Sequence, residues 1–278
     1  MRDTFLIVDG NSLMHRAFHA LPLMDYNGVY TNAVHGFLSM LLRCIRERAP
    51  RYCAVAFDEH APTFRHTEYA EYKAGRAPTP DELRPQFDII KEILSAMGLG
   101  VLSLTGYEAD DILGTLSSQC AQRDIAALLL TGDRDALQLV SDDTTLLLTR
   151  KGISEIEECT PARVQELFGV RPDQITDLKG LMGDSSDNIP GIPGVGEKTA
   201  VKLLTSYDTL ENVLAHADEI KGKLGEKLRA GRESALLSRD LGTIRRNAPI
   251  QPDFARCTWQ EMNEGIPLLQ QYELNQTA

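Results

Sequence analysis

Several features common in other protein classes are missing from this sequence. Its five cysteines, Cys44, Cys53, Cys120, Cys159 and Cys257, are odd in number and scattered, without the paired spacing of a zinc site or a redox disulfide. They read as ordinary reduced thiols. No apolar stretch approaches the roughly 20 residues of a membrane span. The N-terminus enters an apolar run without the charged-then-apolar profile of a signal peptide. The expectation is a cytoplasmic protein with no membrane partner. No solenoid period or low-complexity tract appears. An excess of positive charge is also lacking: 29 Lys and Arg stand against 40 Asp and Glu, a net charge of −11. That is the wrong sign for the basic footprint nucleic-acid binding usually needs.

What is present is a chain of 278 residues, 42% hydrophobic and 25% charged, enough to bury a core in one large or two ordinary domains. Nine of its acidic residues gather at five places where buried elements should end. Asp9 closes the run Thr4 to Val8, Asp58 closes Cys53 to Phe57, and Asp133 follows Leu128 to Gly132. Runs of this length and composition read as buried parallel strands. In an open parallel sheet the crevice beyond the carboxyl ends of the strands is the ligand site, so three strands aim carboxylates into one crevice.

The remaining acids come in close pairs. Glu108 and Asp111 share a helix face with Asp110 beside them. Asp133 and Asp135, two apart in extended backbone, point the same way. Asp184 and Asp187 lie near one helical turn apart. Any single pair has a simpler explanation, since acids favour helix N-termini, but five groups together do not. Two unit charges about 4 Å apart repel by about 4 kcal/mol at an effective dielectric near 20, so the cluster needs cations or protons. Removing nine carboxylates as ligands from a net −11 leaves only −2, and global charge then no longer argues against nucleic acid. Oxygen donors without His or Cys select Mg²⁺, with Mn²⁺ able to substitute. Two such ions support phosphodiester hydrolysis.

Strand and helix patterns alternate through the first half. The spacing predicts helices over Asn32 to Arg48, from Asp81 to Gly98 and from about Glu108 to Gln122. Strands are expected at Val101 to Leu104, Ile125 to Leu130 and Thr144 to Thr149, the last in a hairpin with Ile153 to Ile156. Such units make a mostly parallel α/β sheet. From Thr160-Pro161, an N-cap and first-turn proline, short helices follow at about 161–168, 173–183, 197–206, 208–215 and 223–238. The division expected is an α/β core over 1–160 and a helical domain over 161–278.

Two segments break this regularity. His60 to Pro80 mixes basic and aromatic residues with little apolar periodicity, too long for a bland turn and suited to stacked bases and phosphates. Gly191-Ile192-Pro193-Gly194-Val195-Gly196-Glu197-Lys198-Thr199 nearly matches a nucleotide P-loop. However, Glu197 intrudes before Lys198-Thr199 and no strand precedes, so ATP binding is rejected. A glycine turn before a helix instead presents N–H groups to a DNA phosphate.

The segments Val8-Asp9-Gly10-Asn11, Phe57-Asp58, Tyr72-Lys73-Ala74-Gly75-Arg76, Gly106 to Asp111, Thr131 to Asp135 and Gly183 to Gly191 resemble the bacterial 5′-nuclease family. That family comprises the 5′→3′ exonuclease domain of DNA polymerase I and its stand-alone relatives, within the flap endonuclease superfamily. The resemblance runs in order from about Thr4 to at least Leu241. It implies a PIN-like mostly parallel sheet flanked by helices, a helical arch over about 60–84, and a helical C-terminal domain with a helix-hairpin-helix type turn at 188–206.

The resemblance further implies Mg²⁺-dependent cleavage at 5′ flaps, nicks and single-to-double-strand junctions of DNA, with RNA–DNA primers as further substrates, in replication and repair. Asp9, Asp58, Glu108, Asp110 and Asp111 would surround one metal, and Asp133, Asp135, Asp184 and Asp187 the second. Lys73 would bind the reacting phosphate, and Arg76 that phosphate or the leaving strand. Tyr72 and Tyr107 would guide the unpaired strand. Gly191, Gly194, Gly196, Lys198 and Thr199 would hold the duplex, at a turn that in this family can bind K⁺. A monomer near the nucleoid is expected, standing alone or joined to a DNA polymerase module. Two other classes compete: a catalytically silent junction-binding protein, and a small-molecule phosphatase with an aspartyl nucleophile.

Overall fold

The computed structural model describes residues 2–258 together with Pro267 and Tyr272; the rest of the expected helical domain beyond 258 lies outside the described residues. The chain runs through β1 (Thr4–Asp9), α1 (Gly10–Ala20), a small hairpin of β2 (Asp25–Tyr26) and β3 (Val29–Tyr30), α2 (Asn32–Arg48), β4 (Tyr52–Ala56) and α3 (Phe64–Glu68). Next come α4 (Arg84–Ala96), β5 (Gly100–Leu102), α5 (Ala109–Gln122), β6 (Ala126–Thr131), a 3-10 turn over Arg134–Leu139, β7 (Thr144–Thr149) and β8 (Ile156–Cys159). Helices α6 (Pro161–Phe168), α7 (Ile175–Met182), α8 (Glu197–Tyr207), α9 (Leu210–Ala215), α10 (Lys223–Ala230) and α11 (Arg232–Gly242) follow.

The main sheet has the order β5-β4-β1-β6-β7-β8. All its pairings are parallel except β7 with β8. Central β1 alternates its side chains between two cores. Phe5 and Ile7 face α5 and the C-terminal helices, while Leu6 and Val8 face α1, α2 and α4. Burial on both faces is why this strand reads as an unbroken apolar run. The chain passes from β1 to β4 on one side and later reaches β6 on the other. The carboxyl ends of these three neighbours therefore open on one topological switch point.

Asn32 to Arg48 and Thr144 to Thr149 are helix and strand over the expected residues. Four details differ. Helix α1 was not anticipated: Asp9 caps it, accepting from Ser12 N at 2.9 Å, and Leu13, Met14 and Ala17 form its buried side. The strand paired with β7 begins at Ile156 rather than ending there, because Thr149 pairs with Ile156 and Leu146 with Cys159. The helix expected over 223–238 breaks at Gly231, where a Cβ would meet the Ile192 side chain at 2.8 Å and Lys227 O at 3.0 Å. Between 60 and 83 only Phe64–Glu68 is helical, the rest being turns and irregular backbone, so the expected arch is mostly non-helical. All five cysteines are free and buried. Among the described residues no helix is long and apolar enough to cross a membrane.

Candidate metal centre

A cleft of about 720 Å³ opens at the switch point, lined by Asp9, Asp58, Glu108, Asp110, Asp133, Asp135 and Asp187 on its acidic side, with Lys73 and Arg76 beside them. The sheet places the first members. Asp9 ends β1, Asp58 lies two residues past β4 and Asp133 two past β6. Asp9 Oδ2 accepts from Thr131 Oγ1 at 2.7 Å and Asp58 Oδ1 from Ala109 N at 2.7 Å, which ties three loops together. Ser12 Oγ accepts from Gly132 N at 2.9 Å. A Cβ on Gly132 would meet Thr149 Oγ1, Arg16 Nη2 and Ser12 Oγ between 2.9 and 3.1 Å, so this turn tolerates no larger side chain without movement.

A second group joins from the helical region. One carboxylate oxygen from each of Asp135, Asp184 and Asp187 lies within 4.8 Å of the others. Asp184 and Asp187 sit on the loop after α7, closed by an antiparallel bridge between Asp184 and Ile189. Gly183 and Gly191 make this loop possible: both have positive φ, and a Cβ on Gly191 would fall 2.2 Å from Gly183 N, a backbone approach only glycine permits.

The electrostatics are those of a site short of cations. Burial, with the charges of Asp58 and Asp133, pushes Asp9 up to about 7 despite its hydrogen bonds. Burial and Asp133 push Asp135 up to about 7, against the pull of Lys179. Asp110 is raised well above the carboxylate range by burial and by Asp133, Asp9, Asp135 and Glu108. Its buried Oδ1 has no hydrogen-bond partner. Such an orphan in an all-oxygen set is what a hard divalent ion would satisfy. Asp184 is the exception: burial works against it, yet Lys179 and Ser186 draw it down to about 2.

Not every expected residue belongs to the cleft. Asp111 is fully buried and its carboxylate is saturated. Oδ1 accepts from Arg65 Nη2 and Arg245 N, and Oδ2 from Arg65 Nη1 and Glu108 N, all between 2.8 and 3.0 Å. It completes the capping box of α5 with Glu108 and pairs with Arg65, so that each oxygen already accepts two hydrogen bonds. Tyr72 lines the cleft but is largely covered. It is 3% exposed, and its hydroxyl donates to Glu108 Oε2 at 3.1 Å or Asp187 Oδ2 at 3.2 Å, joining the two carboxylate groups. Tyr107 packs on Phe64, with ring centroids 5.9 Å apart, outside the cleft lining. Gly191, Gly194, Gly196, Lys198 and Thr199 also lie outside it, at the turn preceding α8.

The basic residues meet the acids directly. Lys73 Nζ donates to Glu108 Oε1 at 2.7 Å and Arg76 pairs with Asp187. Sequence reasoning missed two further cations. Arg65, inside the basic-aromatic segment, is 2% exposed and ties Asp111 to the Leu241 and Thr243 carbonyls. Lys179 on α7 bridges Asp135 and Asp184. A signal for Lys179 existed: with Ile175, Leu178 and Met182 it falls on one helical stripe, a lysine where an apolar residue belongs.

Comparison with known proteins agrees with this architecture. A family model described as the 5′-3′ exonuclease N-terminal resolvase-like domain matches residues 4–169, and one for the 5′-3′ exonuclease C-terminal SAM fold matches 170–265. The chain is 51% identical to DNA polymerase I of Bacillus caldotenax over 90% of its own length. It spans only 29% of that protein. Among solved structures, a T5 5′-exonuclease with bound divalent zinc ions superposes with a TM-score of 0.72 at 22% identity, covering 86% of this chain and 89% of that one. A bacteriophage T5 flap endonuclease in complex with DNA and metal ions gives 0.71 at 21%, covering 99% and 96%. At such identity these two show the fold alone. The two family models and the polymerase relative show more: this chain is a nuclease belonging to the 5′-3′ exonuclease family.

Proposed function

We propose that the chain is a divalent-metal-dependent, structure-specific 5′ nuclease that removes flaps and primer 5′ ends at DNA junctions, RNA–DNA hybrids included. Asp9, Asp58, Glu108 and Asp110 would hold one ion together with Asp133, which moves from the expected second set because its charge bears on Asp9 and Asp110, while Asp111 leaves the set for Arg65. Asp135, Asp184 and Asp187 would hold the second, with Mg²⁺ preferred and Mn²⁺ able to replace it. When bound, such ions lower the pKa of a water and stabilise the leaving oxygen of a scissile phosphate. The observation that carries the reading is the convergence of seven carboxylates on one cleft, with a buried Asp110 oxygen left without a partner.

The chain's own cations then have defined tasks. Lys73 Nζ, now on Glu108, is placed to turn to a phosphate oxygen, a contact that strengthens as charge develops there. Arg76, half-exposed at the mouth, would hold the neighbouring phosphate. Tyr72 keeps Glu108 and Asp187 in position and excludes water behind them. The 191–199 turn would seat the duplex through the N–H groups at the start of α8. A K⁺ ion there would share Gly194 O with the Lys227 ammonium, which now donates to it at 3.0 Å. A DNA polymerase module as partner, and roles in replication and repair, follow by likeness to the polymerase relatives.

Asp133→Asn should abolish cleavage of a 5′-flap duplex in Mg²⁺ and leave duplex binding in EDTA nearly intact. Unchanged turnover in that variant would contradict the assignment, and DNA retention without product across Mg²⁺ and Mn²⁺ titrations of the wild type would favour a silent junction binder.

A further inference from the structure

Lys179 is the one buried lysine among the described residues, 8% exposed. Its ammonium contacts Asp135 and donates to Asp184 Oδ2 at 2.7 Å. Its stem lies against the end of α11, where a Cβ on Gly242 would meet Lys179 Cδ at 3.0 Å and Cβ at 3.5 Å. Its backbone carbonyl accepts from Gly183 N at 2.8 Å, at the start of the loop carrying Asp184 and Asp187. The ammonium is therefore held where it stands, outside the lining of the cleft.

The other oxygens of Asp184 and Asp187 are also engaged. Asp184 Oδ1 accepts from Ser186 N at 2.8 Å and Ser186 Oγ at 2.6 Å, and Asp187 meets Arg76 on one oxygen and the Tyr72 hydroxyl on the other. Three negative charges thus face two fixed positive ones, a net of about −1. In the first group five carboxylates face Lys73, while Arg65, 3.5 Å from Glu108, is already matched by Asp111, a formal net of about −4. A divalent ion gains far more from the first group than from the second.

We propose that Lys179 is a resident cation of the second carboxylate group that weakens its hold on a divalent ion and so makes filling of the two groups ordered, first group before second. The inference rests on the metal-nuclease reading above. It makes Lys179 a positioning and affinity-setting residue rather than a substrate contact: its charge orients Asp135 and Asp184 and limits the oxygens they offer.

The test is calorimetric titration of the full chain with Mn²⁺ in the absence of DNA, for the wild type, Lys179→Met, Lys179→Gln and Lys179→Arg. The wild type should bind one ion tightly and one weakly. Lys179→Met and Lys179→Gln should tighten the weak ion at least tenfold while moving the tight one less than threefold, and Lys179→Arg should restore the wild-type value. A weak site unchanged or lost in both neutral variants overturns the proposal and leaves the nuclease reading standing. A wild type that binds no ion overturns both. If neither neutral variant folds, the side-chain ¹⁵Nζ resonance of the buried ammonium in the wild type decides: it should shift with the second equivalent of Mg²⁺ and not the first, and a shift with the first overturns the order.

Discussion

Asp110 and Asp111 are neighbours in the chain with opposite surroundings. Asp110 looks into the cleft with a buried oxygen that nothing satisfies. Asp111 turns away into a cage of four hydrogen bonds, two of them from a bidentate guanidinium. The same contrast separates the two carboxylate groups. The first is placed by strand ends and the start of α5 and left short of positive charge, while the second is placed by the 3-10 turn after β6 and the loop after α7 and carries its own cations. A buried acid with unmet valence is poised for a ligand, and one fully met belongs to the scaffold.

Variants sharpen this contrast in opposite directions. The largest effect expected is on cleavage: Asp110→Asn should lower flap turnover by more than about 10³-fold, the scale on which losing a charge-stabilising group acts, in a single-turnover assay. The same variant, losing repulsion from Asp9 and Asp133, should melt higher than the wild type in EDTA. A lower melting temperature would mean the Asp110 charge is met by something else. Arg65→Met should do the reverse. It strands the Asp111 charge in the interior and should cost about 3–5 kcal/mol in urea unfolding. A loss below about 1 kcal/mol would return Asp111 to the ligand set. Next, Mg²⁺ at about a hundred times its Kd should stabilise the wild type by about 2.7 kcal/mol, an increment much reduced in Asp110→Asn. The smallest effect is Ser12→Ala, which removes the acceptor for Gly132 N and should cost about 1 kcal/mol while slowing cleavage through the displaced Asp133 turn.

The same contrast explains what the sequence made legible. Strand β1 and the carboxylates Asp9, Asp58 and Asp133 were readable because a doubly buried strand leaves an apolar run and the next polar residue must lie at its end. The surroundings of Asp111 were not legible, because spacing shows which face of a helix a residue occupies, not what meets that face. Its partner Arg65 lies 46 residues earlier, inside a segment whose basic character pointed to DNA. The same holds for Tyr72: the sequence shows an aromatic beside Lys73, and only the fold shows its hydroxyl between two carboxylates. Lys179 left a trace, a charge on an apolar stripe, but one of its partners, Asp135, lies 44 residues earlier.

Diffraction from crystals soaked in Mn²⁺, with anomalous maps at the manganese edge, tests the central claim most directly. The account predicts one peak bounded by Asp9, Asp58, Asp110 and Asp133 at low Mn²⁺, and a second beside Asp135, Asp184 and Asp187 as the concentration rises. Maps without a peak in the cleft at saturating Mn²⁺, or with a peak coordinated by Asp111, would contradict it.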